Sequence, residues 1–244
     1  MRLWKRQPLQ RFFGRWSPVT YRNNPDAARA AGKSWMVWAS KETKDHAGAV
    51  RVEDGFLRSR GLGADLVPPL SLVCDDLGIY YDPRKPSRLE NHIVARAKLR
   101  SDQSRRATRL IAALRDAGLS KYNLGGDIMP ADLPAGRRIL VPGQVENDAS
   151  ILTGTGDVST NLALLTCARA AHPDAVILYK PHPDVEAGLR PGAIDAEGLA
   201  DRVLTHADPV ALLAHVDEVW TMTSLLGFEA LLRGIKVVTL GAPF

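Results

Sequence analysis

From Arg138 to Gly241 short apolar runs alternate with amphipathic stretches. In order these are RILVPGQ (138–144), a helical segment around TNLALLTCARAAHP, AVILYKP (175–181), RVLTHA (202–207), DPVALLAHV (208–216), EVWTMTS (218–224), LLGFEALLRG (225–234) and KVVTLG (236–241). Strands joined through helices must run parallel, with helices covering both faces of the sheet. The pattern therefore predicts a doubly wound, Rossmann-like half over 139–244. No apolar run reaches the roughly 18 residues of a membrane span.

Upstream the pattern is looser. SWMVWAS (34–40) and AVRVEDG (49–55) read as strands, the second delivering Glu53 and Asp54 at its carboxyl end. LVPPLSLVCDD (66–76) is extended, because Pro68 and Pro69 forbid a helix. SRLENHIVARA (87–97) opens with a capping box, Ser87 and Glu90. In 101–120, Ala107, Leu110, Ile111, Leu114 and Ala117 recur on one helical face, and Gly118 suits its end. LGGDIMPADLPAGRR (124–138) has no periodicity and reads as a linker. The expected organisation is an arm (1–16), an N-terminal Rossmann-like half (17–123), the linker, and the C-terminal half.

The net charge is +5, from 32 basic and 27 acidic residues. Arg2, Lys5, Arg6, Arg11 and Arg15 supply all of that excess, so residues 17–244 sum to zero. A nucleic-acid-binding body is excluded on that distribution. The arm interleaves its cations with Trp4, Phe12, Phe13 and Trp16. That mixture suits the headgroup boundary of an anionic membrane, or an arm packed on the domain. Pro8 and Gly14 are expected to interrupt a continuous helix there. Cys74 and Cys167 have no metal-ligand spacing and read as reduced, buried thiols. The basic N-terminus has no apolar stretch ahead of a small-residue cleavage site, so it is not a secretory signal.

In open parallel sheets ligands bind at the carboxyl ends of the strands. Acids, cations and hydroxyls collect at those ends: Glu53 and Asp54, Gln144 through Asp148, Lys180 and His182, His206, Thr223 and Ser224. YKPHPDV (179–185) holds Lys180 and His182 stiffly between prolines, a cation pair suited to phosphate. Thr223-Ser224 at a helix start either cap the helix or bind an anion. Glu146 and Asp148 follow Pro-Gly and either close a turn or face a cleft as base or nucleophile. VEDGFLRSRGLG (52–63) adds Arg58 and Arg60 among glycines, as ligands or as salt-bridged turn residues. Gly61 and Gly63 lack dinucleotide or P-loop spacing.

Four segments, EDGFLRSRGLG, LVPGQVENDAS, YKPHPDV and TMTSLLGFEALLRGIKVVTLGAPF, together resemble the capsular polysaccharide β-Kdo transferases of KpsC/LipB type, over about 50–244. The resemblance implies a GT-B glycosyltransferase with two Rossmann-like halves around the active site. It implies retaining transfer of Kdo from CMP-Kdo to a lipid-linked Kdo acceptor in capsule synthesis. By similarity Asp148 is the catalytic nucleophile. Lys180, His182, Pro183, Thr223, Ser224 and Glu229 hold the donor nucleotide and phosphate. Glu53 and Asp54 supply acid/base chemistry, and Arg58, Arg60 and Gln144 face sugar and acceptor. The residues themselves leave the nucleophile open between Asp148 and the Glu53-Asp54 pair; the resemblance chooses Asp148.

No metal or other cofactor is expected, since no DxD triplet occurs and CMP carries its own leaving phosphate. The location implied is cytoplasmic, peripheral at the inner membrane through residues 1–16. In that family the last segment continues past GAPF and modules are often doubled, so the second half is expected to be truncated. Two other readings stand beside this one. One is a transferase using another CMP-sugar or a UDP-sugar. The other is a non-catalytic remnant that binds CMP or a partner.

Overall fold

The computed structural model describes residues 3–22, 24–61, 66–123 and 132–243. The first eight positions of the expected linker, 124–131, lie outside the described residues. Among the described residues eight strands form two sheets. The N-terminal sheet holds β1 (Met36–Trp38), β2 (Val50–Asp54) and β3 (Leu72–Asp75) in that order. β1 runs parallel to β2, but β3 is antiparallel, with Glu53 opposite Val73 and Asp54 opposite Leu72. The parallel sheet expected of this half is therefore corrected to a mixed one. The connection from β2 to β3 (55–71) contains no helix among its described residues, and without a helical crossover the chain returns antiparallel.

The second sheet meets the expectation. β4 (Arg138–Pro142), β5 (Val176–Lys180), β6 (Arg202–Val203), β7 (Glu218–Thr221) and β8 (Lys236–Thr239) lie in the order β6-β5-β4-β7-β8. Every described pairing in it is parallel. The order reverses between β4 and β7, which opens a crevice at their carboxyl ends.

Nine α-helices accompany the strands: α1 (Arg6–Phe13), α2 (Pro25–Arg29), α3 (Arg88–Ala95), α4 (Ser101–Asp116), α5 (Ala149–Gly154), α6 (Asn161–Ala171), α7 (Pro183–Glu186), α8 (Pro209–Leu213) and α9 (Leu225–Leu231), counted among the described residues. Alternation along β4 sorts the core. Ile139 and Val141 face a cluster with Ile151, Leu164 and Leu165 from α5 and α6. Leu140 faces the opposite cluster, with Leu212, Leu213 and Ala230 from α8 and α9. Both sheet faces are thus dry, which explains the near-continuous apolar strand sequences. No described helix is long and apolar enough to cross a membrane.

At the amino end of this sheet, away from the crevice, Glu218 is buried. Its carboxylate accepts from Trp220 Nε1 (2.8 Å), Arg137 (2.5 Å) and Lys236 (3.2 Å). Both cations are more than half exposed and can return to water when the carboxylate is removed. Glu218→Ala is therefore expected to cost about 1–2 kcal/mol, chiefly the stranded indole N–H, rather than the 3–5 typical of a fully buried pair. Thermal unfolding checks this, with Glu218→Gln retaining most of the stability; an unchanged melting temperature for the alanine variant refutes it.

The arm is helical after all. Pro8 falls in the first turn of α1, where its missing N–H would have had no partner, and Gly14 caps the end. Leu9 is buried with Trp38 and Val52, and Phe13, Tyr21 and Leu72 pack around them. The arm thus packs on the N-terminal sheet, while Leu3, Phe12 and Trp16 point outward. The capping box of α3 forms as expected, Ser87 N–H donating to Glu90 (2.7 Å) and Glu90 N–H to Ser87 Oγ (3.1 Å). The apolar stripe of α4 is not core: no residue of that helix is fully buried, and Leu110 is half exposed. Cys74 is exposed and Cys167 half-buried, so the expected buried thiols are corrected. Cys74 lies on β3, an outer strand of the small sheet.

Candidate active site

A cleft of about 1820 Å³ lies between the two sheets. One wall carries Glu53 and Asp54 from the end of β2, Tyr80, Tyr81 and the segment Ser120–Asn123. The other carries Pro142–Val145, Asn147 and Asp148 from the end of β4 onward, Lys180–Asp184 from the end of β5 and Thr223–Leu226 after β7. The strand-end residues thus converge, His206 and Glu146 excepted, on the reversal point of the parallel sheet.

The floor is built by hydrogen bonds. Gln144 is buried; its Oε1 accepts from Thr221 Oγ1 (3.1 Å) and Thr223 N–H (3.0 Å), and its Nε2 donates to Thr223 Oγ1 (2.9 Å). This ties β4 to β7 across the reversal. Asn161, at the start of α6, accepts from Gln144 N–H and donates to the carbonyls of Gln144 and Gly192, each 2.8 Å. Glu146 accepts from Asn161 N–H (2.8 Å). At Gly143 a Cβ would stand 2.6 Å from the Tyr179 hydroxyl and 3.3 Å from Pro181 Cα, so a larger residue would have to displace the Tyr179 side chain. Gln144, expected against the sugar, is therefore a structural clasp.

Asp148 differs from these. It precedes α5, yet its side chain makes no capping bond, and the carboxylate lines the cleft. Opposite, burial pushes the Glu53 carboxyl up to about 7. Asp54 N–H donates to Glu53 Oε1 (3.2 Å) and the Lys5 charge pulls down, while the Asp54 and Asp148 carboxylates push further up. Asp54 is engaged by Arg58, whose Nε donates to Oδ2 (2.8 Å). Of the two adjacent acids, Glu53 is the one placed to exchange a proton near neutrality.

Arg58 is only 2% exposed, and donates also to Ser59 Oγ (2.8 Å) and Val67 O (3.0 Å). Arg60 is exposed and does not line the cleft. Of the two arginines expected at the acceptor, Arg58 lines the cleft as a buried brace already bound to Asp54, Ser59 and Val67, and Arg60 lies outside it.

His182 and Lys180 also depart from the expected cation pair. Burial, helped by Lys121, Lys180 and Arg190, lowers His182 to about 4, so the ring is neutral at pH 7. Its Nδ1 accepts from Asp184 N–H (3.1 Å), which leaves Nε2 carrying the proton. His182 thus offers a neutral donor, with Pro183 beginning α7 and fixing the turn. Lys180 is 4% exposed, bonded to Pro181 O (3.1 Å) and 3.8 Å from Glu186. Desolvation lowers its pKa, and Glu186 and Asp208 oppose that.

The cation that the sequence reading missed is Lys121. Desolvation lowers its pKa, but Tyr122, Tyr80, Asp148 and Asp54 more than compensate, so it stays charged. Its place is set by distant backbone: Arg58 and Ser59 N–H groups donate to Lys121 O (2.9 and 3.1 Å), and its own N–H to Glu229 Oε1 (2.9 Å). Asn123, in the left-handed region (φ 42°), closes the turn through bonds to Ser120 and Ser59. A Lys-Tyr-Asn run after a helix was the available signal, but without periodicity it carried no position. Glu229, buried and raised to about 7 by desolvation, joins α9 to this segment. Phe56 meets Phe228 edge-on at 5.0 Å across the same junction. Thr223 is committed to Gln144, and Ser224 Oγ accepts from Leu226 N–H (3.2 Å) while lining the cleft.

Comparison with known proteins agrees with this fold. The family model described as capsule polysaccharide biosynthesis protein matches residues 38–135 and 127–244. The capsule polysaccharide modification protein LipA of Neisseria meningitidis serogroup A is 48% identical over 82% of this chain, which spans 29% of that protein. The lipopolysaccharide-processing protein LpsZ of Rhizobium meliloti is 39% identical over 99% of the chain and 60% of its own length. Similar solved structures include two of Thermosulfurimonas dismutans KpsC. The β-Kdo 2,4 transferase has a TM-score of 0.83 at 32% identity, covering 97% of this chain and 76% of that one. The β-Kdo 2,7 transferase has a TM-score of 0.76 at 33% identity, covering 100% and 77%. The fold is thus α/β and GT-B-like, and the chain belongs to the capsule polysaccharide biosynthesis family.

Proposed function

We propose that this chain carries a retaining glycosyltransferase site that moves Kdo from CMP-Kdo onto a lipid-linked Kdo acceptor. The observation that carries the reading is an Asp148 carboxylate not spent on its helix cap, facing a Glu53 carboxyl poised near pH 7 across the cleft. In the first displacement an Asp148 oxygen bonds to the anomeric carbon, and CMP departs with the bonding electrons. In the second, Glu53 takes the acceptor hydroxyl proton, the acceptor oxygen attacks the same carbon, and Asp148 leaves. Two inversions give net retention. Lys121, on the Glu53 wall, and the Nε2–H of His182, after β5, both line the cleft, where they can oppose the departing phosphate charge. We infer that no metal takes part, so transfer persists in a chelator.

The test incubates the protein with CMP-Kdo and a Kdo-primed glycolipid and reads products by mass spectrometry. A product one Kdo heavier is expected. CMP binding without product favours a binding remnant, and binding of UDP in place of CMP reassigns the donor.

A further inference from the structure

One part of the cleft is supplied by neither strand ends nor the β4–β8 sheet. Trp4 and Lys5, at the foot of α1, line the same wall as Glu53 and Asp54. They are held there because Leu9, one turn on, is buried against Trp38 and Val52, and Val52 directly precedes Glu53 in β2. The Lys5 ammonium stands 3.0 Å from the centre of the Trp38 ring and 5.3 Å from that of Trp4. Trp4 Nε1 is buried and meets no acceptor, an orphan donor on this wall. Lys41 and Lys44, exposed after β1, line the cleft on the same side.

We propose that Lys5, carried into the cleft by the N-terminal arm, is a positioning residue that recognises a carboxylate on the acceptor sugar. Resting on the transferase reading, this deepens it by naming what selects an acidic acceptor. An aromatic cradle restrains the ammonium, so little side-chain freedom is lost when an anion arrives. The orphan indole N–H offers a second donor to the same kind of group. The location favours the acceptor over the donor, since Lys5 acts on Glu53, the acceptor's base, from the same wall, whereas His182 follows β5 on the other. A fixed cation here also offsets the repulsion that Glu53, Asp54 and Asp148 would exert on an incoming carboxylate.

Binding of the methyl glycoside of Kdo, and of its C1 methyl ester, would be measured by calorimetry on the wild-type chain, Lys5→Gln and Lys5→Arg. The wild type is expected to bind the acid about tenfold more tightly than the ester. Lys5→Gln should erase that preference by weakening the acid alone, and Lys5→Arg should keep it. Equal binding of acid and ester by the wild type overturns the proposal, as does a Lys5→Gln loss shared equally by both ligands, the mark of a merely structural role. Because binding needs no turnover, absence of Kdo transfer by the wild type strikes the glycosyltransferase reading and leaves this comparison to decide Lys5.

Discussion

Asp148→Ala is expected to lower Kdo transfer by at least about 10³-fold while leaving CMP affinity within about twofold, because the lost group acts on the anomeric carbon and not on the nucleotide. Position and local bonding support the separation. The Asp148 side chain makes no cap bond to α5, whose backbone starts with Ile151 N–H donating to Asp148 O (3.1 Å). Alanine therefore removes the carboxylate without unseating the helix. Neighbouring Glu146, by contrast, holds Asn161, and its removal would disturb the floor. Transfer at an undiminished rate by Asp148→Ala would remove Asp148 from the chemistry. A parallel loss of CMP binding would make it a determinant of the site's shape.

Glu53→Gln is expected to lose about 10²–10⁴-fold in transfer and yet gain stability in alkaline solution. Desolvation raises the folded carboxyl to about 7 from an ordinary value of 4.5. The folded state therefore holds a proton that the unfolded chain releases on passing about pH 4.5. Stability contributed at this site is greatest below that point and declines as pH rises toward 7. Glutamine cannot ionise and can still accept the Asp54 N–H. At pH 8 the variant should exceed wild type by about 1–2 kcal/mol, a rise of roughly 4 °C for a chain this size, with near equality at pH 4. As a base Glu53 must be ionised, so wild-type transfer should climb through an acid limb near pH 7 and then level off. Melting curves at pH 4 and 8, beside a pH–rate profile, check both halves. A variant with unchanged transfer, or one no more stable at pH 8, discards this role.

Much of the fold was legible from residue patterns, and the reasons differ by element. The central strands β4 and β5 announced themselves because both faces of the sheet are dry there, which leaves the runs ILV and VILY with no polar alternation. The N-terminal sheet was misread as parallel since a three- or four-residue strand carries no sign of direction. Helix α5 went unnoticed: ASILTG is too short for periodicity and is stabilised by Ile151 entering the core.

At the site, residue type was legible and commitment was not. Arg58, Gln144 and Asp148 all look like ligands in a string. Bonds to Asp54, Ser59, Val67, Thr221 and Thr223 spend the first two, and only the third keeps a side chain clear of such obligations. The same blindness hid Lys121, whose position depends on the chain 60 residues earlier.

The clasp formed by Gln144 and Asn161 also limits how this scaffold can diversify. A carboxamide presents a donor and an acceptor in one neutral plane, and both residues use both ends. Glutamate at 144 would keep the accepting oxygen but lose the donor to Thr223 and bury a charge; leucine would strand three polar groups. Saturation libraries should therefore find these two positions as intolerant as the reacting carboxylates. Mutable sequence space is left to the cleft walls, so a change of sugar preference can be sought there while the amide floor stays constant.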